Sequence, residues 1–459
     1  MPLSKLESSV AAKSASRIEL TGFLGSFAEL SFQNRVKKFI TGSSSEPVQI
    51  WAPEFVKDQT GGDWYGEHVG KWLVTACNWL EVRKDDDLES TVRAVADYVL
   101  SQQTTDGSWS CYAPGAESRF NHPNADQVRT WDLWILANLI LGLQRASLVL
   151  SEPRYLQAID RLVDLMAATF VGTERRITNQ GNHQGLSSAV LLEPIARQWL
   201  ITRQPAARAM VDKLVDELTD GKGLALIPRL LHGDDVSQIG TGKIYQMLWV
   251  GVGLVVASDV TGNPKLLDAA IAMWDRTKEH HLTPQGGPWG GIATHKEVFN
   301  PAGYFDPGGF VETCSVMVWN QLSRELYERF GVGQYLDEIE RSTYNQLVGA
   351  QDANGEDWCY FSFPNGQRHN TYYWACCKSS GPLALSDAVK FAGQVSVDEV
   401  RLNYIESGSF DLAVESGRIV LDCQAEFGQI ARLSCVIADS PSNAWTLALR
   451  EPSWSGGTV

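Results

Sequence analysis

Cys376 and Cys377 stand side by side in YYWACCKSS (372–380). Adjacent cysteines rarely bond to each other, because the ring so closed is strained and the Cβ geometry is poor. Either they are two small apolar fillers, or something else holds both sulfurs. Upstream, FVETCSVMVWN (310–320) sets Glu312 and Cys314 on either side of Thr313, where a helix should begin. Together these residues offer three thiolates and one carboxylate, a donor set that suits Zn²⁺. The spacing is not that of a zinc finger. There is no CxxC, and Cys314 and Cys376 are 376 − 314 = 62 positions apart. Residue types alone therefore leave a metal site and a set of buried thiols both open. Cys77, Cys111 and Cys359 are isolated and read as filler; Cys423 and Cys435 lie in strand pattern and read as buried strand residues.

The elements that must position these groups change texture near residue 395. Before it, apolar residues recur at helical spacing: LESTVRAVADYVLSQQ (88–103) puts Val92, Val95, Ala96 and Val99 on one stripe. Similar stretches cover 131–149, 153–169, 186–202, 206–219, 243–260, 264–280, 313–330 and 334–350. Breakers such as DGKG, TGNPK and FGVG separate them, so the pattern reads as consecutive helical hairpins. After residue 395 the period is two, broken at SGS, ESGR and DSPSN, which predicts antiparallel strands. The expected organisation is mainly α: a helical domain over 1–394, then a β-sandwich module over 395–459 that ends before a sandwich is closed.

Composition narrows the setting. A chain of 459 residues with 44% hydrophobic and 20% charged residues is globular and long enough for two domains. Its net charge of −15 argues against nucleic acid and against an anionic membrane surface as partners. No secretory h-region opens the chain, and the strongest apolar run, LWILANLILGLQ, is too short to span a bilayer. A cytoplasmic location is expected, where thiols stay reduced and cysteine clusters lean towards metal or catalysis.

ETC, YLDEIERSTYNQLVGAQ, CC and LREPSW, in that order, resemble the β-L-arabinofuranosidase family of glycoside hydrolases, family 127. ELTGFLGSF with NRV, GEHVGKWL and ASDVTGNPKLLDAA extend the resemblance over most of the chain. The resemblance implies an (α/α)6 barrel followed by β-sandwich modules, a zinc ion held by Glu312, Cys314, Cys376 and Cys377, Cys376 as nucleophile and Glu297 as acid/base. It also suggests His122, His183 and His295 as sugar contacts, although each reads equally well as a structural or exposed imidazole. Tyr372, Tyr373, Trp374, Trp289 in GGPWGG and Trp64 could stack on a sugar face. Glu67 and His68 fall at a loop–helix junction, and Lys378 reads as an exposed lysine.

The implied chemistry is coherent. A retaining glycosidase needs a nucleophile on one face of the sugar and a proton donor at the leaving oxygen. Zinc keeps a thiol ionised, and a surplus of negative charge stabilises an oxocarbenium-like transition state and favours protonated Glu297. Adjacent side chains point to opposite faces in an extended segment, so the cysteine pair should sit at a turn or helix start. The leading expectation is a zinc-dependent retaining hydrolase of a terminal furanoside such as β-L-arabinofuranose. Other carbohydrate-active enzymes on such a barrel (another glycosidase, a lyase, an epimerase) and a catalytically silent sugar-binding relative stay open, as does a homo-oligomer.

Overall fold

The computed structural model describes residues 16–52, 64–291, 297–306, 308–364, 366, 368, 375–428 and 431–455. Twelve longer helices carry the fold: α1 (Phe23–Ser31), α2 (Glu67–Val82), α3 (Asp86–Ser101), α4 (Asp132–Leu150), α5 (Pro153–Phe170), α6 (Leu192–Thr202), α7 (Pro205–Thr219), α8 (Ile244–Thr261), α9 (Pro264–His280), α10 (Thr313–Phe330), α11 (Gly333–Ser342) and α12 (Cys377–Phe391). The even-numbered helices form a ring in which each packs on the next and α12 closes on α2. The odd-numbered helices lie outside them, and α1 backs α12. This is the (α/α)6 barrel of helical hairpins that the periodicity and the resemblance led us to expect.

Burial follows from composition. The outer helix α5 buries one stripe, Tyr155, Ala158, Ile159, Leu162, Val163, Met166 and Phe170, at steps of three and four. The inner helix α8 is apolar on all sides and buried along nearly its whole length. Helices α4 and α8 are long and apolar enough to cross a membrane, but both are ring helices and mostly covered by protein. Hairpin punctuation is local. Pro153, Pro205 and Pro264 open outer helices, where a missing N–H costs nothing, and Gly262 and Gly331 close inner ones in the left-handed conformation. A Cβ on Gly70 would lie 2.1 Å from the Asn138 carbonyl oxygen, so glycine lets α2 and α4 touch backbone to backbone.

Two predicted helices differ in detail. The stretch 186–202 divides into Leu186–Ala189 and α6, because Pro194 in the first turn of α6 has no N–H to continue a preceding helix. The stretch 334–350 runs as α11 into a π-helical turn, Thr343–Leu347, and a last turn at Val348–Ala350.

Among the described residues, ten strands form three sheets. β1 (Arg17–Leu20), β7 (Gly408–Val414), β8 (Gly417–Glu426) and β9 (Arg432–Asp439) make an antiparallel sheet in the order β1-β7-β8-β9, so the N-terminal strand joins the C-terminal ones. β5 (Gly393–Ser396), β6 (Glu399–Leu402) and β10 (Thr446–Leu449) form a second sheet; β10 pairs with β6 in parallel, unlike the all-antiparallel expectation. The third, β2 (Trp289–Gly290), β3 (Phe310–Glu312) and β4 (Phe361–Ser362), lies within the barrel sequence.

Ion pairs tie the ring shut. Glu81 of α2 meets Arg145 of α4 at 2.6 Å and Lys390 of α12. Burial alone would raise the Glu81 carboxyl, but Arg145 and Lys390 overcome it and lower the group to about 2. A carboxyl depressed in the folded state stabilises it above its unfolded value near 4.5, and that contribution disappears as pH falls through 2. Glu81→Gln should therefore cost about 1–3 kcal/mol at neutral pH. In urea melts at a series of pH values, the gap between parent and variant should close between pH ~4.5 and ~2.

Candidate active site

The first turns of the ring helices meet at one mouth of the barrel. Trp134 near the start of α4 donates through Nε1 to Glu67 Oε2 at the start of α2, at 2.8 Å. His68 Nδ1 lies 2.7 Å from Ser379 Oγ in the first turn of α12. Lys243 precedes α8, Glu312 precedes α10 with Cys314 inside its first turn, and Cys376 precedes α12 with Cys377 as its first residue. Each of these helix starts carries partial positive charge, so the mouth favours thiolates and carboxylates.

The sulfurs converge there. Cys314 Sγ is 3.3 Å from Cys376 Sγ and 3.3 Å from Cys377 Sγ; Cys376 Sγ lies 4.0 Å from Cys377 Sγ and 3.8 Å from Glu312 Oε1. All four side chains are buried. Donors held about 2.0–2.3 Å from one centre in a tetrahedron stand roughly 3.3–3.8 Å apart. The observed separations, 3.3 to 4.0 Å, lie close to that range, and the four residues are placed to hold a metal ion. Further groups steady them: Ser315 Oγ donates to Glu312 Oε2 at 3.3 Å, and Cys314 Sγ meets Ser380 Oγ at 3.2 Å.

The protonation pattern is asymmetric. Hydrogen bonds from the Cys314 and Cys377 thiols, aided by the Lys71 ammonium and the Tyr360 hydroxyl, hold Cys376 well below the ordinary thiol value. Burial pushes Cys314 and Cys377 up. Burial also pushes Glu312 up to about 8, against the opposing pull of Lys243. Of the three sulfurs, Cys376 is the one whose surroundings favour ionisation.

Glu297 joins this group through two partners. Lys243 Nζ is ion-paired with Glu297 Oε2 and lies 3.6 Å from Glu312 Oε2. The Tyr360 hydroxyl donates to Glu297 Oε1, and burial followed by the nearby Cys376 charge keeps that phenol protonated. Tyr360 thus links Glu297 to Cys376. β4 places it: the Glu312–Phe361 register and the bond from the Thr313 N–H to the Tyr360 carbonyl, 3.2 Å, fix Tyr360 beside α10.

Other sequence candidates fall at varied distances from this centre. Trp289 is buried on β2, paired in register with Val311, and its Nε1 has no partner among the described residues. His183 stacks edge-on against Trp131 at 5.6 Å, and its Nδ1 lies 3.4 Å from Thr241 Oγ1. Trp131 in turn touches Trp64 and Trp134, the latter being the donor to Glu67. His122 makes local contacts: its Nδ1 accepts the Asn124 N–H at 3.1 Å, and its carbonyl accepts from Arg175. His295, Tyr372, Tyr373 and Trp374 lie outside the described residues. Lys378 is a correction. It is buried rather than exposed, and Asp357 pairs with it at 2.7 Å.

Several residues of the site are absent from the sequence-based set. Lys243 and Tyr360 are two. Lys71 is a third; it sits fully buried, 3.0 Å from Glu67 Oε2 and over the Tyr245 ring. Burial lifts Glu67 to about 7 even against Lys71. One signal was available in GKIYQML: a lysine immediately before an apolar helix opposes the helix dipole, which demands an anionic partner.

The start of α12 carries a further device. Pro382 lies inside the helix and gives no N–H to the Lys378 carbonyl four residues back. Arg35 Nε fills the vacancy, donating to that carbonyl at 2.9 Å. A Cβ on Gly381 would fall 2.2 Å from the Trp358 ring, so glycine lets the cysteine-bearing turn sit against Trp358.

A ring of helical hairpins with an acid–thiol cluster at its mouth defines a carbohydrate-active enzyme of the six-hairpin class. The family model of the β-L-arabinofuranosidase GH127 catalytic domain matches residues 30–386. A GH127 β-L-arabinofuranosidase from Geobacillus stearothermophilus T6 superposes with a TM-score of 0.75 at 16% identity, covering 95% of this chain and 75% of that one. The GH127 β-arabinofuranosidase BT3674 superposes with a TM-score of 0.76 at 16% identity, covering 95% and 70%. Cellobiose 2-epimerase from Bacillus thermoamylovorans B4167 shares the barrel more distantly, with a TM-score of 0.51 at 13% identity, covering 80% and 98%. No curated relative matches by sequence. The chain belongs to glycoside hydrolase family 127, the β-L-arabinofuranosidase family, and is a glycoside hydrolase.

Arg35→Ala would leave the buried Lys378 carbonyl unpaired, at a cost of about 1–3 kcal/mol. A lower urea midpoint is expected, with Arg35→Lys recovering part of the loss.

Proposed function

We propose that this protein hydrolyses a terminal furanoside of the β-L-arabinofuranose type with retention of anomeric configuration, using Cys376 as nucleophile and Glu297 as acid/base. The observation that carries the reading is Lys243, which pairs with Glu297 and lies 3.6 Å from Glu312, and so ties the acid/base to the thiol cluster.

In the first step the Cys376 sulfur forms a bond to the anomeric carbon while the bond from that carbon to the leaving oxygen breaks. Glu297 gives its proton to that oxygen. In the second step Glu297 takes a proton from water, whose oxygen attacks the anomeric carbon and displaces Cys376 as thiolate. Tyr360 and Lys243 hold the Glu297 carboxyl on the leaving-group side. The metal assigned to Glu312, Cys314, Cys376 and Cys377 is Zn²⁺, by the soft three-sulfur, one-oxygen donor set. When bound, it would keep the coordinating thiols deprotonated and fix their direction. His183 and Trp289 are assigned to the sugar pocket, supported by the unpartnered indole N–H of Trp289 and by the aromatic chain leading from His183 to Trp134. His122 and His295 keep the sugar-contact role that the family resemblance implies. The catalytic barrel occupies 1–394 and the β module 395–459. Reliance on free thiols favours a reducing compartment such as the cytoplasm.

The test joins metal analysis to turnover. The purified chain should carry one zinc per molecule and hydrolyse p-nitrophenyl β-L-arabinofuranoside. Cys376→Ala should lower kcat at least about a thousand-fold, and full activity in that variant would end the nucleophile assignment. Cys314→Ser should lose the metal while the helical circular dichroism persists. Turnover of pyranosides only would replace the furanoside with another sugar.

A further inference from the structure

We propose that Cys423 and Cys435 form a reversible cross-strand disulfide, a thiol-modification site on the β module separate from the catalytic cluster. Their sequence reading as two buried strand fillers treats them singly, whereas the fold makes them a pair. Cys423 on β8 and Cys435 on β9 are direct register partners, with their Sγ atoms 2.9 Å apart. Opposed residues of an antiparallel ladder have Cβ atoms about 4.5–5.5 Å apart, and a disulfide needs about 3.5–4.5 Å. Closure therefore requires only a small approach of two strands that are already hydrogen-bonded.

Access separates Cys435 from the thiols of the barrel mouth. Among the described strands β9 pairs only with β8, so it is a sheet edge, and Val436 and Ile437 next to Cys435 are exposed. Cys435 is half-buried on that edge, whereas Cys314 and Cys377 are fully covered inside the barrel mouth. A small dissolved disulfide reaches Cys435 first. Burial and the neighbouring Cys435 push the Cys423 thiol up, which agrees with that order of attack.

The steps balance with an oxidised low-molecular-weight disulfide as oxidant. The Cys435 thiolate attacks one of its sulfurs, forming a mixed disulfide and releasing one thiolate. Cys423 then loses its proton and attacks the Cys435 sulfur, expelling the second thiolate. Two protein thiols lose two electrons, and one external disulfide becomes two thiols. The bond would staple a hairpin whose ladder is irregular, since its register shifts between Val420 and Leu421.

The experiment uses the full chain as purified, reduced and then incubated with oxidised glutathione. Free thiols are alkylated under denaturing conditions and the peptides mapped by mass spectrometry. The expected product is a Cys423–Cys435 linked pair, with Cys314, Cys376 and Cys377 recovered alkylated. Amide hydrogen exchange across β8 and β9 should slow by on the order of 10- to 100-fold on oxidation and return with dithiothreitol. Cys435→Ser should abolish both changes and leave glycosidase activity intact. Glutathione retained on Cys435 with Cys423 still alkylated, or oxidation confined to the barrel thiols, would overturn the proposal. A linked pair with unchanged exchange would refute the staple.

Discussion

Two segments 62 residues apart can share one metal only if the helices that follow them begin at the same place. The (α/α)6 ring imposes this. Its inner helices run in parallel, each returned by an outer partner, so every inner N-terminus arrives at one mouth. Unsatisfied N–H groups and helix dipoles accumulate there, which makes the mouth the one region of the barrel interior that tolerates a crowd of anions. Glu67, Glu312, Cys314, Cys376 and Cys377 all occupy first turns or cap positions. Placed in the last turns of the same helices, these groups would face carbonyl ends and repel them.

Bringing sulfurs to 3.3 Å requires backbone to be brought close as well, and the chain does so at a few marked positions. Gly381 seats α12 on Trp358, and Gly70 seats α2 on α4. Pro382 removes one helix hydrogen bond just past the cysteine pair, and Arg35 supplies the replacement from a segment more than three hundred residues earlier in the chain, 378 − 35 = 343. The π-helical turn Phe32–Val36 that follows α1 is thus part of the site's scaffold. The β module is coupled to the same scaffold, since Glu406 accepts the Leu24 N–H at the start of α1, at 3.0 Å.

Much of this was legible in the sequence. Helical spacing gave the hairpins, period two gave the strands after 395, and the residue types in ETC and CC named the four side chains that meet. Sequence could not reveal partners supplied by tertiary structure. Lys378 reads as exposed because its neighbours are polar and glycine-rich; it is buried because Asp357, on the loop before β4, folds over it. Tyr360 looks like one aromatic among many until β4 pairs with β3 and aims its hydroxyl at Glu297. Lys71 lies in GEHVGKWL, one turn after Glu67, a spacing that also describes any surface ion pair; only the closed ring buries both. Likewise the Cys423–Cys435 register depends on a strand pairing that alternation alone does not specify.

The buried cations add to the charge picture that donor types suggest. Counting only Glu312 and three thiolates around a divalent ion leaves a formal surplus of two negative charges. Lys243, against Glu297 and Glu312, and Lys71, near Cys314 and Cys376, bring two positive charges into the same low-dielectric space. Burial alone would drive both ammonium groups towards neutrality, and the adjacent acids reverse that. Such interactions are strong in a poorly solvated site, and breaking one partner leaves the other uncompensated. These two charges are matched by the carboxylates of Glu67 and Glu297, so the mouth is an ion lattice that keeps its negative surplus. In such a lattice the cations keep the carboxylates and the thiolate apart in orientation. Negative charge can then concentrate on the Cys376 sulfur, the atom whose surroundings favour it most.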